Sequence, residues 1–146
     1  MYYRGRLDGS AKVLVIGQDP AADENVARRI LVGDAGQRVQ GFLAKLGITR
    51  SYVMVNSVLY SIFGQFDNDM KAFVDLPAVQ QWRNNLLNAL KGPNIQAVLA
   101  FGQAARHVRI RACFALLATV NCQRCQGDRK FQIHFGTREM VEMRVR

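Results

Sequence analysis

One apolar run near the amino terminus constrains the fold more than any other feature of the chain. Residues 13–16 are four consecutive aliphatic residues, and Gly17-Gln18-Asp19-Pro20 follows at once. An uninterrupted aliphatic run of this length is typical of a strand that is buried on both faces of a parallel sheet. In open α/β sheets, ligands bind in the crevice beyond the carboxyl ends of the strands. The run therefore places Asp19 at a candidate ligand site, where Pro20 restricts the backbone.

Two further apolar runs, and the segments between them, predict an alternation of strands and helices. The strands are expected at 12–17, 52–55 and 95–101, and the helices at 24–30, 37–46, 77–90 and from 103 onward. This alternation predicts a three-layer α/β/α fold with a central, mostly parallel four-stranded sheet.

Several residues suit the ends or faces of these predicted helices. Asp23 is a candidate N-cap for the first helix, and Gly47 is a candidate for the residue that ends the second. Leu46 is expected on the buried face of the second helix, together with Val39 and Phe42. Pro77 fits the first position of the third helix, since its missing N–H has no partner to lose there.

The length and hydrophobicity of the chain predict a single globular domain. It has 146 residues, of which 49% are hydrophobic, and this is enough to bury a core. Beyond about His107 the pattern weakens, so we expect one domain over 1–146 whose carboxyl-terminal third (about 107–146) is atypical or incomplete. No apolar run approaches the roughly 20 residues that cross a bilayer, and the first residues lack the apolar segment of a secretory signal. We therefore expect a cytoplasmic protein, a monomer, with no membrane partner.

The charge of the chain favours a polyanionic partner. The formal net charge is +9 and the isoelectric point is about 10.1. Lysine and arginine neutralise phosphates and release their counterions, so nucleic acid is a natural partner for such a surface. The alternative is a solvated basic surface that aids solubility.

The cysteines do not predict a metal site or a disulfide framework. Cys113, Cys122 and Cys125 all lie in the last third of the chain, and an odd number does not suggest paired cysteines. Cys122 and Cys125 form one CxxC, but no second pair follows, and structural zinc requires four ligands. We expect reduced cysteines, no metal and no cofactor.

Polar residues that follow the first two strands are expected to face one pocket. Asp19 follows the first strand, Asn56 closes the second, and Gly33 and Gly36 lie on the segment between them. Because the carboxyl ends of parallel strands meet at one edge of a sheet, a carboxylate, an amide and backbone N–H groups would converge there. An amide can bond both edges of a base, and a carboxylate can orient water. Taken singly, Asp19 could cap a turn and Asn56 could be a turn residue.

The order of four motifs resembles the uracil-DNA glycosylase superfamily. The motifs are Gly17-Gln18-Asp19-Pro20, Arg29-x-x-Val32-Gly33-x-Ala35-Gly36-Gln37, Val55-Asn56, and Val98-Leu99-Ala100-x-Gly102-x-x-Ala105. The first is similar to the water-activating motif of the family's classical branch, and the second to the loop of its thermophile-type branches. The resemblance covers roughly residues 12 to 106 and implies the family's α/β fold.

The resemblance also implies an activity and site residues. Such enzymes flip uracil out of DNA and hydrolyse its N-glycosidic bond. By motif match, Asp19 would activate the attacking water and stabilise the cationic sugar. Asn56 would read the uracil edge, and Gln18 would contact the base through its backbone. The remaining residues matched to the base-binding motifs are Gly17, Pro20, Leu31, Gly33 and Gly36.

Three features depart from the family's pattern. Leu31 stands where the family usually has a phenylalanine that stacks on the flipped base. No His-Pro pair occurs in the chain, whereas the family places a His-Pro-Ser-type motif after the strand that follows the Gly102 region. His134, in a strand-like stretch, is the candidate for that catalytic role, and His107 is expected to be a partly exposed helical residue. No cysteine precedes Cys113, so we expect no iron–sulfur cluster.

Two principal hypotheses about function remain open on the sequence. The first is a DNA repair glycosylase that excises uracil, or a related deaminated base, from DNA. The second is a catalytically weak or inactive relative that binds nucleic acid or a nucleobase-like ligand on the same scaffold. A small-molecule hydrolase is a third and weaker alternative, and it predicts no affinity for DNA.

Overall fold

The computed structural model describes residues 1–62, 68–108, 117–122, 130–135 and 139–144, the last three ranges as backbone. The strands are β1 (Tyr3–Gly5), β2 (Val13–Gly17), β3 (Tyr52–Asn56), β4 (Ala97–Ala100), β5 (Leu117–Cys122), β6 (Lys130–Phe135) and β7 (Glu139–Arg144). The helices are α1 (Ala22–Ala27), α2 (Asp34–Lys45), α3 (Asn68–Val74), α4 (Pro77–Leu90) and α5 (Gln103–His107).

The strands form one mixed sheet with a parallel centre. The strand order is β1-β3-β2-β4-β5-β6-β7. The neighbours among β3, β2, β4 and β5 pair in parallel, whereas β1 pairs antiparallel with β3, and β6 and β7 extend the other side antiparallel. The predicted α/β class is therefore confirmed.

The sheet has more strands than the four that the sequence predicts. Over the described ranges the sheet has seven strands, of which four form the parallel centre. β1 is only three residues long and partly exposed, so it carries little hydrophobic signal. β6 and β7 fall in the segment whose hydrophobic period was too weak to assign, and their antiparallel pairing makes the sheet mixed.

Helices cover both faces of the sheet. On one face, Val15 of β2 and Met54 of β3 are buried in a cluster with Phe42 and Leu43 of α2. On the other face, Ile16 of β2 is buried in a cluster that includes Leu87 of α4 and Ala105 of α5. Both faces of β2 are therefore covered, which explains why its aliphatic run does not alternate with polar residues.

The ends of the helices agree in part with the predictions. Pro77 begins α4, and Gly47 adopts a left-handed conformation directly after Leu46, the C-cap of α2. Asp23 is not the N-cap of α1, because that position is Ala21 and no side chain caps the helix. Leu46, expected on the buried face, is 44% exposed, because α2 ends at Lys45 and Leu46 is its C-cap and not a helical residue.

Among the described residues, no helix combines the length and the apolar character that a bilayer-spanning segment needs.

Gly36 lies in the first turn of α2, where the helix begins against the backbone of residue 31. A Cβ atom at Gly36 would overlap the Leu31 carbonyl group, which belongs to the main chain and cannot rotate away. Gly36→Ala is therefore expected to lower the free energy of unfolding by about 2 kcal/mol or more, as overpacking against a fixed group does. Urea denaturation followed by circular dichroism measures this change.

Gly41→Ala is the matched control in the same helix. A Cβ atom at Gly41 would meet nothing within 4 Å, so alanine should stabilise α2 by up to about 1 kcal/mol through its higher helix propensity. Equal effects of the two substitutions would contradict the close contact between Gly36 and residue 31.

Candidate active site at the strand ends

The carboxyl ends of β2 and β3 are joined by main-chain and side-chain hydrogen bonds. Gly17 is in register with Asn56 in the parallel pair. The Ser57 N–H donates to the Gly17 carbonyl at 2.9 Å, and the Ser57 hydroxyl donates to the Gln18 carbonyl at 2.6 Å. These bonds hold the start of the Gly-Gln-Asp-Pro segment beside the end of β3, so the Gln18 carbonyl already has a partner.

Gln18 also connects this segment to the end of β4. The Ala104 N–H, in the first turn of α5, donates to Gln18 Oε1 at 3.2 Å. Gly102 has a φ of 95°, which favours glycine, and a Cβ there would lie 2.9 Å from Gln18 Oε1. The glycine between β4 and α5 therefore makes room for the Gln18 side chain. Three adjacent strand ends, those of β3, β2 and β4, meet at Gln18.

Asp19 is half-buried and hydrogen-bonded at the same edge of the sheet. The Ile62 N–H donates to its Oδ2 atom at 2.9 Å. Burial raises the pKa of the Asp19 carboxyl above its usual value, and the hydrogen bonds from Ile62 and from the Gln18 side chain oppose that rise. Asp19 is thus a partly buried carboxylate with a raised affinity for protons, which suits a group that accepts a proton from a bound water.

Asn56 lies on the same side of the sheet as Met54 and is almost fully buried, with 5% of its surface exposed. Its Nδ2 donates to Glu24 Oε2 at 3.2 Å. Its Oδ1 lies against Gly17, where any Cβ would overlap it. The absence of a side chain at Gly17 therefore leaves the space that the Asn56 amide occupies.

Glu24 is a second buried carboxylate, and the sequence reasoning assigned it no role. It is 6% exposed, and its Oε1 accepts a hydrogen bond from the Leu31 N–H at 2.6 Å. Burial raises the pKa of Glu24, and the charge of Asp19 contributes in the same direction. α1 has six residues and no apolar stripe, so periodicity could not indicate that Glu24 points inward.

Three other residues matched to base-binding motifs are Leu31, Gly33 and Pro20. Leu31 is 8% exposed, and its side chain packs in the cluster beneath α2, so little of it is available to cover a base. Gly33 is the N-cap of α2, and a Cβ there would lie 2.9 Å from Asp23 Oδ2. Pro20 accepts a hydrogen bond at its carbonyl from the Ser61 hydroxyl.

The backbone register separates His134 from these strand ends. His134 is paired with Thr119 of β5, Thr119 with Ala100 of β4, and Ala100 with Ile16 of β2. Three inter-strand steps of about 4.8 Å place the backbones of His134 and Ile16 about 14 Å apart. The segment that follows β5, residues 123–129, contains no histidine in the sequence. The catalytic role of His134 stays a prediction.

His107 ends α5, is partly exposed as expected, and lies with its Nε2 2.8 Å from Asp75 Oδ2. Cys113 and Cys125 lie outside the described residues, and of Cys122 only the backbone in β5 is described. Within the described ranges, no group of three or more histidine, cysteine, aspartate or glutamate side chains could hold a metal ion.

Comparison with known proteins gives one match that spans most of the chain. Residues 5–136 match the sequence model of the family described as the Uracil DNA glycosylase superfamily. The matched range contains Asp19, Asn56 and the strand ends that meet at Gln18. It also contains β2 to β6, whereas β1 overlaps it only at Gly5 and β7 follows it. A search of curated proteins gives no match.

The raised pKa of Asp19 has a consequence for stability. The folded state binds this proton more tightly than the unfolded state, so the free energy of unfolding should fall as pH rises from the usual aspartate pKa to the raised one. Asp19→Asn removes the charge, and its Oδ1 can still accept from the Ile62 N–H. We expect the variant to be at least as stable as the wild type at neutral pH, with a weaker pH dependence, in urea denaturation at acidic and neutral pH. A less stable variant with an unchanged pH dependence would contradict this.

Proposed function

The chain belongs to the Uracil DNA glycosylase superfamily, and we propose that it hydrolyses the N-glycosidic bond of uracil, or of a related deaminated base, in DNA. The observation that carries the proposal is that Asp19 and Asn56 belong to adjoining parallel strand ends, with Asp19 two residues beyond Gly17, the register partner of Asn56. One is a half-buried carboxylate that accepts a hydrogen bond from the Ile62 N–H, and the other is a buried amide. A site that must bind water and read a base edge needs these two groups.

In the proposed reaction, Asp19 accepts a proton from a water molecule as that water attacks C1′ of the deoxyribose. The electron pair of the C1′–N1 bond leaves with the base, and a C1′–O bond forms in its place. The negative carboxylate also stabilises the positive charge that develops on the sugar. The pKa of Asp19, raised by burial, makes it a better proton acceptor than an exposed aspartate.

Asn56 is the proposed reader of the base. Its Oδ1 would accept from N3–H of uracil, and the second hydrogen of its Nδ2 would donate to O4. Its burial supports this role, because a hydrogen-bonding group that is shielded from water discriminates strongly between matched and mismatched partners.

The charge of the chain and one exposed aromatic residue support DNA as the substrate. The net charge of +9 favours contact with phosphates. Tyr60 is 70% exposed, and it lies between Ser57, which binds Gln18, and Ile62, which binds Asp19. An exposed ring on the rim of the site can stack on an unpaired base.

The alternative is a relative that binds nucleic acid without rapid catalysis. Residues 123–129, which directly follow β5, include no histidine, where the resemblance led us to expect one. Loss of a donor that stabilises developing negative charge on the leaving base costs about 10²–10³ in rate. This alternative predicts salt-sensitive DNA binding with little or no abasic product.

Incubation with an end-labelled oligonucleotide that contains one uracil tests the proposal. The wild type should form abasic sites, which alkali converts to strand breaks, and Asp19→Asn should reduce the rate by at least about 10²-fold, because it removes the proton acceptor. Asp8→Asn is the matched control. It makes the same charge change on an exposed residue near the amino ends of the strands, and its rate should equal that of the wild type.

The proposal would be overturned if wild-type protein bound the oligonucleotide and formed no abasic product. An equal loss of rate in Asp8→Asn and Asp19→Asn would also contradict it, since net charge and not the strand-end carboxylate would then be responsible.

The pH dependence of the rate provides a further prediction. The reaction requires ionised Asp19, so kcat/KM should fall as pH falls through the pKa of this carboxyl. Because burial raises that pKa, the acid limb should lie at higher pH than an unperturbed aspartate would give. A rate that stays constant down to the usual aspartate pKa would argue against Asp19 as the proton acceptor.

A further inference from the structure

The Glu24 carboxylate connects two elements of the site that are far apart in sequence. One oxygen accepts from the Leu31 N–H at 2.6 Å, and the other accepts from Asn56 Nδ2 at 3.2 Å. Glu24 is 6% exposed, so water cannot replace these bonds without opening the structure. Both donors therefore depend on one side chain.

These contacts determine which way the Asn56 amide faces. An ionised carboxylate only accepts hydrogen bonds, so the Asn56 atom that faces Glu24 must be the nitrogen. The oxygen is then on the opposite side of the amide, against Gly17. Rotating the amide by half a turn would place its oxygen against the Glu24 oxygen, leaving both without a donor.

The direction of the amide matters because uracil and cytosine differ in the pattern of donors and acceptors on this edge. Uracil offers N3–H as a donor and O4 as an acceptor, whereas cytosine offers N3 as an acceptor and its amino group as a donor. A reversed amide matches cytosine as well as the original amide matches uracil. We propose that Glu24 is the positioning residue that makes the site select uracil over cytosine, by holding the Asn56 amide in one direction. The inference rests on the proposed function, in which Asn56 reads the base.

The hydrogen bond from the Leu31 N–H to Glu24 means that glutamine at position 24 cannot hold the Asn56 amide in the same direction. The Leu31 N–H can only donate, and Leu31 has a φ of 56°, which is unfavourable for a residue with a bulky side chain. In Glu24→Gln, the single amide oxygen is needed by the Leu31 N–H, which leaves the NH2 group to face Asn56. The Asn56 amide would then reverse to present its oxygen, and its nitrogen would take the place of the oxygen beside Gly17.

Binding to uncleavable substrates tests this directly. The probes are single-stranded oligonucleotides with one 2′-fluoro-2′-deoxyuridine or one 2′-fluoro-2′-deoxycytidine, so that no base pair has to open. The ratio of the two dissociation constants is the readout. It does not depend on the fraction of protein that is folded. The wild type should prefer uracil, and Glu24→Gln should shift the ratio toward cytosine by at least about tenfold, since two hydrogen bonds exchange partners.

Gln40→Ala separates this effect from loosening of the loop. Gln40 Nε2 donates to the Leu31 carbonyl at 3.0 Å and is not bonded to Asn56. Its loss should weaken the binding of both oligonucleotides in the same proportion and leave their ratio unchanged. A ratio that shifts equally in Gln40→Ala and Glu24→Gln would overturn the proposal, because Glu24 would then act through the loop and not through the Asn56 amide.

A second pair of variants covers the case in which Glu24→Gln does not fold. Gly41→Ala is expected to stabilise α2, and a Cβ there would meet nothing within 4 Å, so Glu24→Gln in that background should shift the ratio without unfolding the protein. If the wild type prefers uracil and neither variant with Gln at 24 changes the ratio, the role of Glu24 is wrong while the proposed function stands. If the wild type binds both oligonucleotides equally, the proposed function fails, and the role of Glu24 fails with it.

Discussion

The parallel pairing of β2 with β3 and β4 is the constraint on which the site depends. It aligns Gly17 with Asn56, and it brings the start of α5 to the Gln18 side chain. The pairing is stable because both faces of β2 are covered by helices, so its aliphatic residues are removed from water. Groups placed just beyond such strands are held by the most rigid part of the molecule.

Burial stabilises the aliphatic strands, but it disfavours the charged groups at this edge of the sheet. Asp19 and Glu24 lose solvation there, and their raised pKa values reflect that loss. Each accepts a hydrogen bond from a main-chain N–H group, Asp19 from Ile62 and Glu24 from Leu31. A site with two poorly solvated carboxylates is less stable than an apolar one of the same shape, and this is the usual character of a site that accepts protons or reads a base.

The parts of this fold that follow from local pattern could be predicted from the sequence, and those that depend on distant contacts could not. The aliphatic run of β2, the α4 start at Pro77 and the strand-end position of Asn56 all have local signals. Glu24 does not, because its inward direction depends on Leu31 and Asn56, which are 7 and 32 residues away. The strand-like stretch around His134 is β6, but its antiparallel pairing with β5 and β7 joins separate segments of the chain and has no local signal.

The most direct test of the account is a crystal structure of the Asp19→Asn protein bound to a single-stranded oligonucleotide that contains uracil. We predict that the uracil ring lies beyond the ends of β2 and β3. Asn56 Oδ1 should be within hydrogen-bonding distance of N3, and its Nδ2 within that distance of O4 while still donating to Glu24. A base bound elsewhere on the surface, or a base at the strand ends without contact to Asn56, would contradict the account.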